Sequence, residues 1–377
     1  MEAVDGSRRE ILLVSLGLLV SLLLSLGLAE AGLRVAHRLY QWRVRQALPP
    51  VSDRALIPST DPELIFEWNP GWSSKTFTVN SFGMPNDEVT LEKPPGVFRI
   101  AFLGDSISAN FDLRPRPEIY LNVLARMLNH ERRDGWRFEA LNFGVNGYGI
   151  LQELRLLRSR ALRFHPDLVV IQHCLNDPYP SDTPYAQLAP IGPSRLWNFL
   201  FHRLQPDHFW GWYYVERNYD HFGLENLQRG MAGLGEVQRQ VPVVAVLFPY
   251  LYAPAYDSWG YQRYHEPYRL GAARSGIAFL DLYTVFRQHG FVGSRPYPVD
   301  PLHPESEAHA VAAAELERAL DGVGLLPKRD PPPEFGEPQD LRDGGSRRAD
   351  RMLATPRLNL GPLCQPSGST RYQSAHY

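Results

Sequence analysis

Cysteine is nearly absent from this chain, with two in 377 residues. Cys174 lies in an apolar, strand-like run and Cys364 in a low-complexity tail. So few, so far apart, they exclude a disulfide framework and a cysteine-based zinc site, and both read as free thiols. Lysine is equally scarce (Lys75, Lys93 and Lys328), arginine taking its place. That bias reads as genome composition, not function. Excess charge is missing too: the formal net charge is −2, which gives nucleic acid no electrostatic handle. With 44% hydrophobic and 21% charged residues, the composition is that of an ordinary globular protein. The length suits one large domain or two modest ones.

Charge is also missing locally. Between Ile11 and Ala29 there is none, and leucine dominates. As a helix this run spans about 28 Å, close to the hydrocarbon thickness of a bilayer. A buried core helix would show a polar face, and only Ser15, Ser21 and Ser25 are available. A cleaved signal peptide has a shorter apolar region, and no persuasive small-residue cleavage site follows here. Glu30, Arg34 and Arg38 come next instead. The expectation is an uncleaved transmembrane anchor over residues 1–34. Arg8 and Arg9 precede the span, whereas Arg34, Arg38, Arg43 and Arg45 follow it. By the positive-inside rule this count puts the downstream domain in the cytoplasm, although the rule weakens for long translocated domains.

Residues 35–95 read as a basic juxtamembrane segment, ended by Pro49-Pro50, and an extension of short strands and turns such as Asn80-Ser81-Phe82-Gly83. From Val97 the pattern alternates between apolar strands and amphipathic helices. Strands are expected at 97–103, 138–143, 167–173, 241–248 and 277–282. Helices are expected at 117–129, 151–164, 261–275 and 305–320. Such alternation implies an α/β fold with a parallel sheet covered on both faces. The domain is bounded at 96–326. Residues 178–240, rich in Trp, Tyr and Phe, are longer than a plain crossover needs. They read either as an inserted lid or substrate platform, or as a small helical subdomain packing its own core. Residues 327–377 turn to Pro, Gly, Arg and Ser without periodicity, the composition of a disordered tail.

In an open parallel sheet, ligands bind beyond the carboxyl ends of the strands. Four polar motifs fall there: Gly104-Asp105-Ser106-Ile107-Ser108, Asn142-Phe143-Gly144-Val145-Asn146-Gly147, Leu175-Asn176-Asp177 and Asp300-Pro301-Leu302-His303. A serine hydroxyl needs an adjacent base to become a nucleophile, and His303 is suited to the task. Asp300 can hold the imidazole in the right tautomer. The backbone amides of Ser106 and Gly147, with the Asn176 side chain, are candidate oxyanion donors. Singly these motifs are weak; together, at the ends of the first three strands and some way past the fifth, they make Ser106, Asp300 and His303 a candidate catalytic set.

This set resembles the SGNH (GDSL) hydrolase superfamily, whose four blocks contribute Ser, Gly, Asn and His. They match Ser106, Gly147, Asn176 and His303 in order, over about residues 97–320. The anchor and the Asn80-Ser81-Phe82-Gly83 segment resemble bacterial members with an N-terminal membrane helix. The resemblance implies a flavodoxin-like three-layer α/β/α domain with a five-stranded parallel sheet. It implies no metal or organic cofactor, and hydrolysis of carboxylic esters or amides, often O-acetyl groups on sugars. The expected partner is a small-molecule or glycan ester; oligomeric state is unreadable. Such members usually face outward, so an extracytoplasmic domain is expected against the arginine count. Two departures stand out. Cys174 replaces a usual Gly in the third block, read as filling a gap, and Ala308 stands where Gly is common. His173 and His309 read as bystanders, and Asp105 and Asp177 as turn-holding residues. Two rival functions share this pattern: an O-acyltransferase acting on envelope polysaccharide, and a non-catalytic envelope carbohydrate-binding protein.

Overall fold

A computed structural model of the chain describes residues 2–111, 115–131, 133–179, 194–205, 215, 218–252, 260–293 and 302–329. Helix α1 (Glu2–Ala47) takes in both the apolar run and the arginine-rich segment after it, stopping two residues before Pro49-Pro50. It is long and apolar enough to cross a membrane, and its leucines from Leu12 to Leu28 are exposed.

After α1, strands β1 (Leu56–Pro58) and β2 (Phe66–Trp68) pair antiparallel. The main sheet consists of β3 (Val97–Leu103), β4 (Arg137–Asn142), β5 (Leu168–His173), β6 (Val243–Leu247) and β7 (Ala278–Asp281). Their order is β4-β3-β5-β6-β7 and every pairing is parallel. All five strands fall where the apolar runs predict them. The order reverses between β3 and β5, which opens a crevice at their carboxyl ends.

The crossover helices are α3 (Tyr120–Glu131), α4 (Ile150–Ser159), α6 (His221–Val237) and α7 (Tyr261–Arg274). Three shorter or terminal helices are α2 (Ser106–Ala109), α8 (Tyr283–Gln288) and α9 (Ser306–Gly322). Helix α3 packs against α9, while α4, α6 and α7 pack in succession. The expected helix over 151–164 is two pieces, α4 and a 3-10 turn at Ala161–Phe164.

The stretch 178–240 is only partly an insertion. Its last third is α6, the crossover helix joining β5 to β6. Four glycines hid it, because glycine lowers helix propensity. Gly230 and Gly233 are there for close packing. A Cβ at Gly230 would lie 2.5 Å from Ile150 Cγ1, and one at Gly233 would lie 2.3 Å from Leu154 Cδ2. The same stretch contains α5 (Arg195–Leu204), which packs against α1. Of the aromatics there, Phe209, Trp210, Trp212, Tyr213 and Tyr214 lie outside the described residues, as does the tail from Asp330.

The extension preceding β3 shares the core of the sheet domain: Leu56, Phe66, Trp68, Phe77 and Met84 are buried in it. The Trp68 indole donates to the Gly144 carbonyl at 2.7 Å, and Asn86 Nδ2 donates to Ala140 O at 3.0 Å. Asn80 accepts from the amides of Phe82 and Met84 at 3.0 Å each, forming the turn its sequence predicts. At the opposite strand ends, Arg99 is fully buried within the apolar run of β3. It donates to Glu139 at 2.6 Å and to the carbonyls of Leu91, Phe164 and Thr90 at 2.7–3.0 Å. A buried charge survives only with such full pairing.

Candidate active site

Strand β3 delivers Ser106 through a sharp turn. Gly104 has φ 154°, and a Cβ there would come within 2.3 Å of Gln172 Oε1 and 2.7 Å of Ser108 Oγ. Only glycine passes between these two side chains. Asp105 caps the next helix, its carboxylate accepting from the Ile107 amide at 3.0 Å. Ser106 is therefore the first residue of α2, at a helix N-terminus where amides lack intrahelical acceptors. Its hydroxyl is half-buried.

His303 meets it there. Its Nε2 lies 2.7 Å from Ser106 Oγ, although the two are 197 residues apart. His303 sits just before α9, which packs against α3 and buries Ala308, Ala312 and Leu316. Ala308 has no room to its solvent side, being 1% exposed. Asp300, the expected third member, lies outside the described residues.

The other two blocks converge on the same turn. The loop after β4 is tied to it by the Val145 amide donating to Gly104 O at 3.0 Å. Asn142 fixes that loop, donating to Ser108 O at 2.7 Å and accepting from the Gly144 amide at 2.9 Å. Gly147, at φ 80°, occupies the left-handed region that favours glycine. After β5, Asn176 Nδ2 lies 3.4 Å from Asp105 Oδ2, and Ser106 Oγ is 3.4 Å from that same oxygen. Asp105 thus links the first and third blocks.

Cys174 completes the link. Its thiol donates to Asp105 Oδ2 at 2.9 Å and also contacts Asn176 Oδ1. Where the sequence suggests a gap-filler, the structure has a hydrogen-bond donor. Burial, then the charges of Asp105 and Asp177, push its pKa well above the usual thiol range, so the proton stays on sulfur.

Behind this layer runs a buried polar network that the sequence pattern hides. His173 Nδ1 and Asp177 Oδ2 are 2.6 Å apart, and Asp177 also accepts from the Cys174 amide at 3.2 Å. Burial raises the Asp177 pKa to about 6, partly opposed by His173. Glu153, on α4, is buried with neither carboxylate oxygen partnered among the described residues. Burial, then Asp177 and Asp105, hold its pKa well above the usual carboxylate range, which favours the neutral form. Gln172 accepts from Ser108 Oγ at 2.9 Å and from the Asp105 amide at 3.2 Å; Tyr120 and Ser108 hydroxyls meet at 2.8 Å. The signal available was Gln172 and His173 within an otherwise apolar strand.

His309 is remote from this chemistry: it stacks on Tyr120 at 6.1 Å and accepts from its amide at 3.4 Å. Two clusters bring metal-ligand atoms within 4.8 Å of one another: Asp105, Cys174 and Asp177, and Glu153, His173 and Asp177. Both are wholly buried, and their members are largely bonded to each other.

Residues 102–311 match the family model of the GDSL-like Lipase/Acylhydrolase family. No curated protein matches the chain. Among solved structures, LAE5, an α/β hydrolase enzyme from the metagenome of Lake Arreo, Spain, is similar at 17% identity and TM-score 0.42, covering 59% of this chain and 95% of that one. A catalytic mutant of Axe2, an acetylxylan esterase from Geobacillus stearothermophilus, is similar at 16% identity and TM-score 0.41, covering 59% and 94%. A two-domain esterase (CEX) active on acetylated mannans is similar at 17% identity and TM-score 0.40, covering 63% of this chain and 53% of that one. With the family match spanning more than half of its length, the chain belongs to the GDSL-like lipase/acylhydrolase family and is an ester-cleaving hydrolase.

Proposed function

We propose that the enzyme cleaves carboxylic esters through an acyl-Ser106 intermediate, with His303 as general base. The observation carrying this reading is the 2.7 Å approach of His303 Nε2 to Ser106 Oγ at the carboxyl edge of the sheet. In the first half-reaction His303 takes the hydroxyl proton as Oγ attacks the ester carbonyl carbon. The tetrahedral oxyanion is held by the amides of Ser106 and Gly147 and by Asn176 Nδ2. Collapse breaks the bond to the alcohol oxygen, which leaves with the proton from His303. Water, deprotonated by His303, then attacks the acyl carbonyl; collapse breaks the acyl–Oγ bond, Oγ takes the proton back from His303, and the carboxylic acid leaves. Asp300, three residues before His303, orients the imidazole and stabilises its charged form.

The substrate is a small-molecule or glycan ester. Helix α1 serves as a single-pass anchor, a reading supported by its uncharged run from Ile11 to Ala29. We place the hydrolase domain outside the cytoplasm, as in the anchored bacterial members whose N-terminal pattern the chain resembles.

The test is p-nitrophenyl acetate turnover by the full chain in detergent, beside Ser106→Ala and His303→Ala. Each variant is expected to lose about a thousandfold or more in kcat with its melting temperature retained. Undiminished turnover by Ser106→Ala overturns the reading.

A further inference from the structure

We propose that helix α5 is a membrane-surface helix, seating its Trp197 end at the hydrocarbon–headgroup boundary of the bilayer that α1 crosses. This rests on the reading of α1 as an anchor. The uncharged run of α1 ends at Glu30, the first charged residue after Ile11. If that run fills the hydrocarbon, Glu30 marks its edge.

Glu30 is also where α5 begins. Its carboxylate accepts from the amides of Arg195 at 3.0 Å and Leu196 at 2.7 Å, and from the Ser194 hydroxyl at 3.1 Å. A side chain of one helix thus satisfies the open amides of another, beside the N-cap bond that the Trp197 amide donates to Ser194 Oγ. These bonds set the first turn of α5 at the height where the apolar run ends. Trp197 follows within that turn.

The outward residues of α5 are the wrong ones for water. Trp197 is 62% exposed, Phe199 54% and Leu204 75%, with Leu200 also exposed. Trp197, Leu200 and Leu204 recur at helical spacing and form one stripe. Arg203 on α5 and Arg38 on α1 are exposed nearby in sequence, and Arg34 binds Glu30 at 2.6 Å. An exposed Trp and apolar stripe with arginines at the point where an anchor leaves the bilayer is the composition of a membrane interface, not of an aqueous surface. Glu30 ties the exposed apolar stripe of α5 to the end of the exposed leucine run of α1. The bilayer is therefore the occupant that covers both. Seated this way, α5 fixes the height of the hydrolase domain at the membrane instead of leaving α1 as its sole tether.

The test uses the full chain with Cys364→Ser and a single added cysteine carrying an environment-sensitive fluorophore. The cysteine replaces Leu18 in the apolar run, Trp197 or Leu200 on α5, or exposed Glu225 on α6. Each protein is reconstituted in vesicles of phosphatidylethanolamine and phosphatidylglycerol containing a lipid with a nitroxide near its headgroup. The label at Leu18, near mid-bilayer, is expected to lose most of its emission in parallel vesicles whose nitroxide is carried deep in the acyl chain, labels at Trp197 and Leu200 to lose most of theirs to the headgroup quencher, and the label at Glu225 to lose none to either. Quenching at Leu18 with none at Trp197 or Leu200 overturns the proposal and leaves the anchor intact. An emission shift at Trp197 without lipid quenching also overturns it, pointing to a second copy on that face. No quenching at Leu18 defeats the anchor reading itself.

Discussion

The Cys174 thiol donates to Asp105 Oδ2 at 2.9 Å, so the segment after β5 that carries Asn176 is bonded to the residue immediately before Ser106. Asp105 is buried, and its other approaches to that oxygen, from Ser106 Oγ and Asn176 Nδ2, are both 3.4 Å. The thiol is its shortest contact there. Cys174→Ala therefore weakens the turn that presents Ser106, whereas Cys174→Ser keeps a donor. A hydrogen bond to a charged group is worth about 1.5–3 kcal/mol. We expect Cys174→Ala to lower kcat roughly tenfold and to melt earlier, and Cys174→Ser to stay within about twofold. Steady-state kinetics and thermal melts of both variants check this.

Asn176 is expected to act on the transition state more than on substrate binding. Removing one oxyanion donor costs about a hundred- to a thousandfold in kcat. Asn176→Ala should show that loss with KM little changed. A rise in KM at constant kcat would assign Asn176 to ground-state binding instead.

Glu153 sets a pH dependence of stability. Its folded pKa is raised above the ordinary 4.5 by burial and by Asp177 and Asp105. The folded chain therefore binds more protons than the unfolded chain above that pH, and stability falls as pH rises from about 4.5 toward the raised value. Asp177, raised from 3.8 to about 6, acts in the same direction over that interval. Glu153→Gln removes one of these ionisations. The variant should match the parent in melting temperature near pH 4 and exceed it at pH 8, by about 2–4 °C for each kcal/mol released. A gap that widens toward acid would contradict the assignment.

Arg133 pins α9, and with it His303, to the end of α3. It bonds Glu317 at 2.6 Å, Asp321 at 2.5 Å and Glu131 at 2.7 Å while itself 1% exposed. Replacing it leaves buried Glu317, together with Asp321 and Glu131, sharing the half-exposed Arg329, which lies 2.8 Å from Glu317. Arg133→Met is expected to destabilise the fold by about 3–5 kcal/mol, measured by urea unfolding. Loss below about 1 kcal/mol would show that the pairing is dispensable.

Strand positions were legible because parallel strands buried on both faces read as unbroken apolar runs; Ser106, Gly147 and Asn176 stood out as polar or glycine residues just beyond three of them, and His303 in a polar motif some way past the last. Helix α6 was not, since Gly230 and Gly233 serve its contact with Ile150 and Leu154 on α4, a partner with no trace in local sequence. The network around Glu153, Gln172 and Tyr120 escaped for a related reason. Each belongs to a regular element whose periodicity does not say which polar residue turns inward. The bond from Glu30 to the start of α5 joins positions 165 residues apart and was invisible for the same cause.

The most direct measurement is fluorophosphonate labelling of the full chain, read by intact mass and by peptide mapping. The account predicts a single adduct, on Ser106, that is absent in Ser106→Ala and strongly slowed in His303→Ala, whose nucleophile lacks its base. An adduct on another residue, or equal labelling in Ser106→Ala, would contradict it.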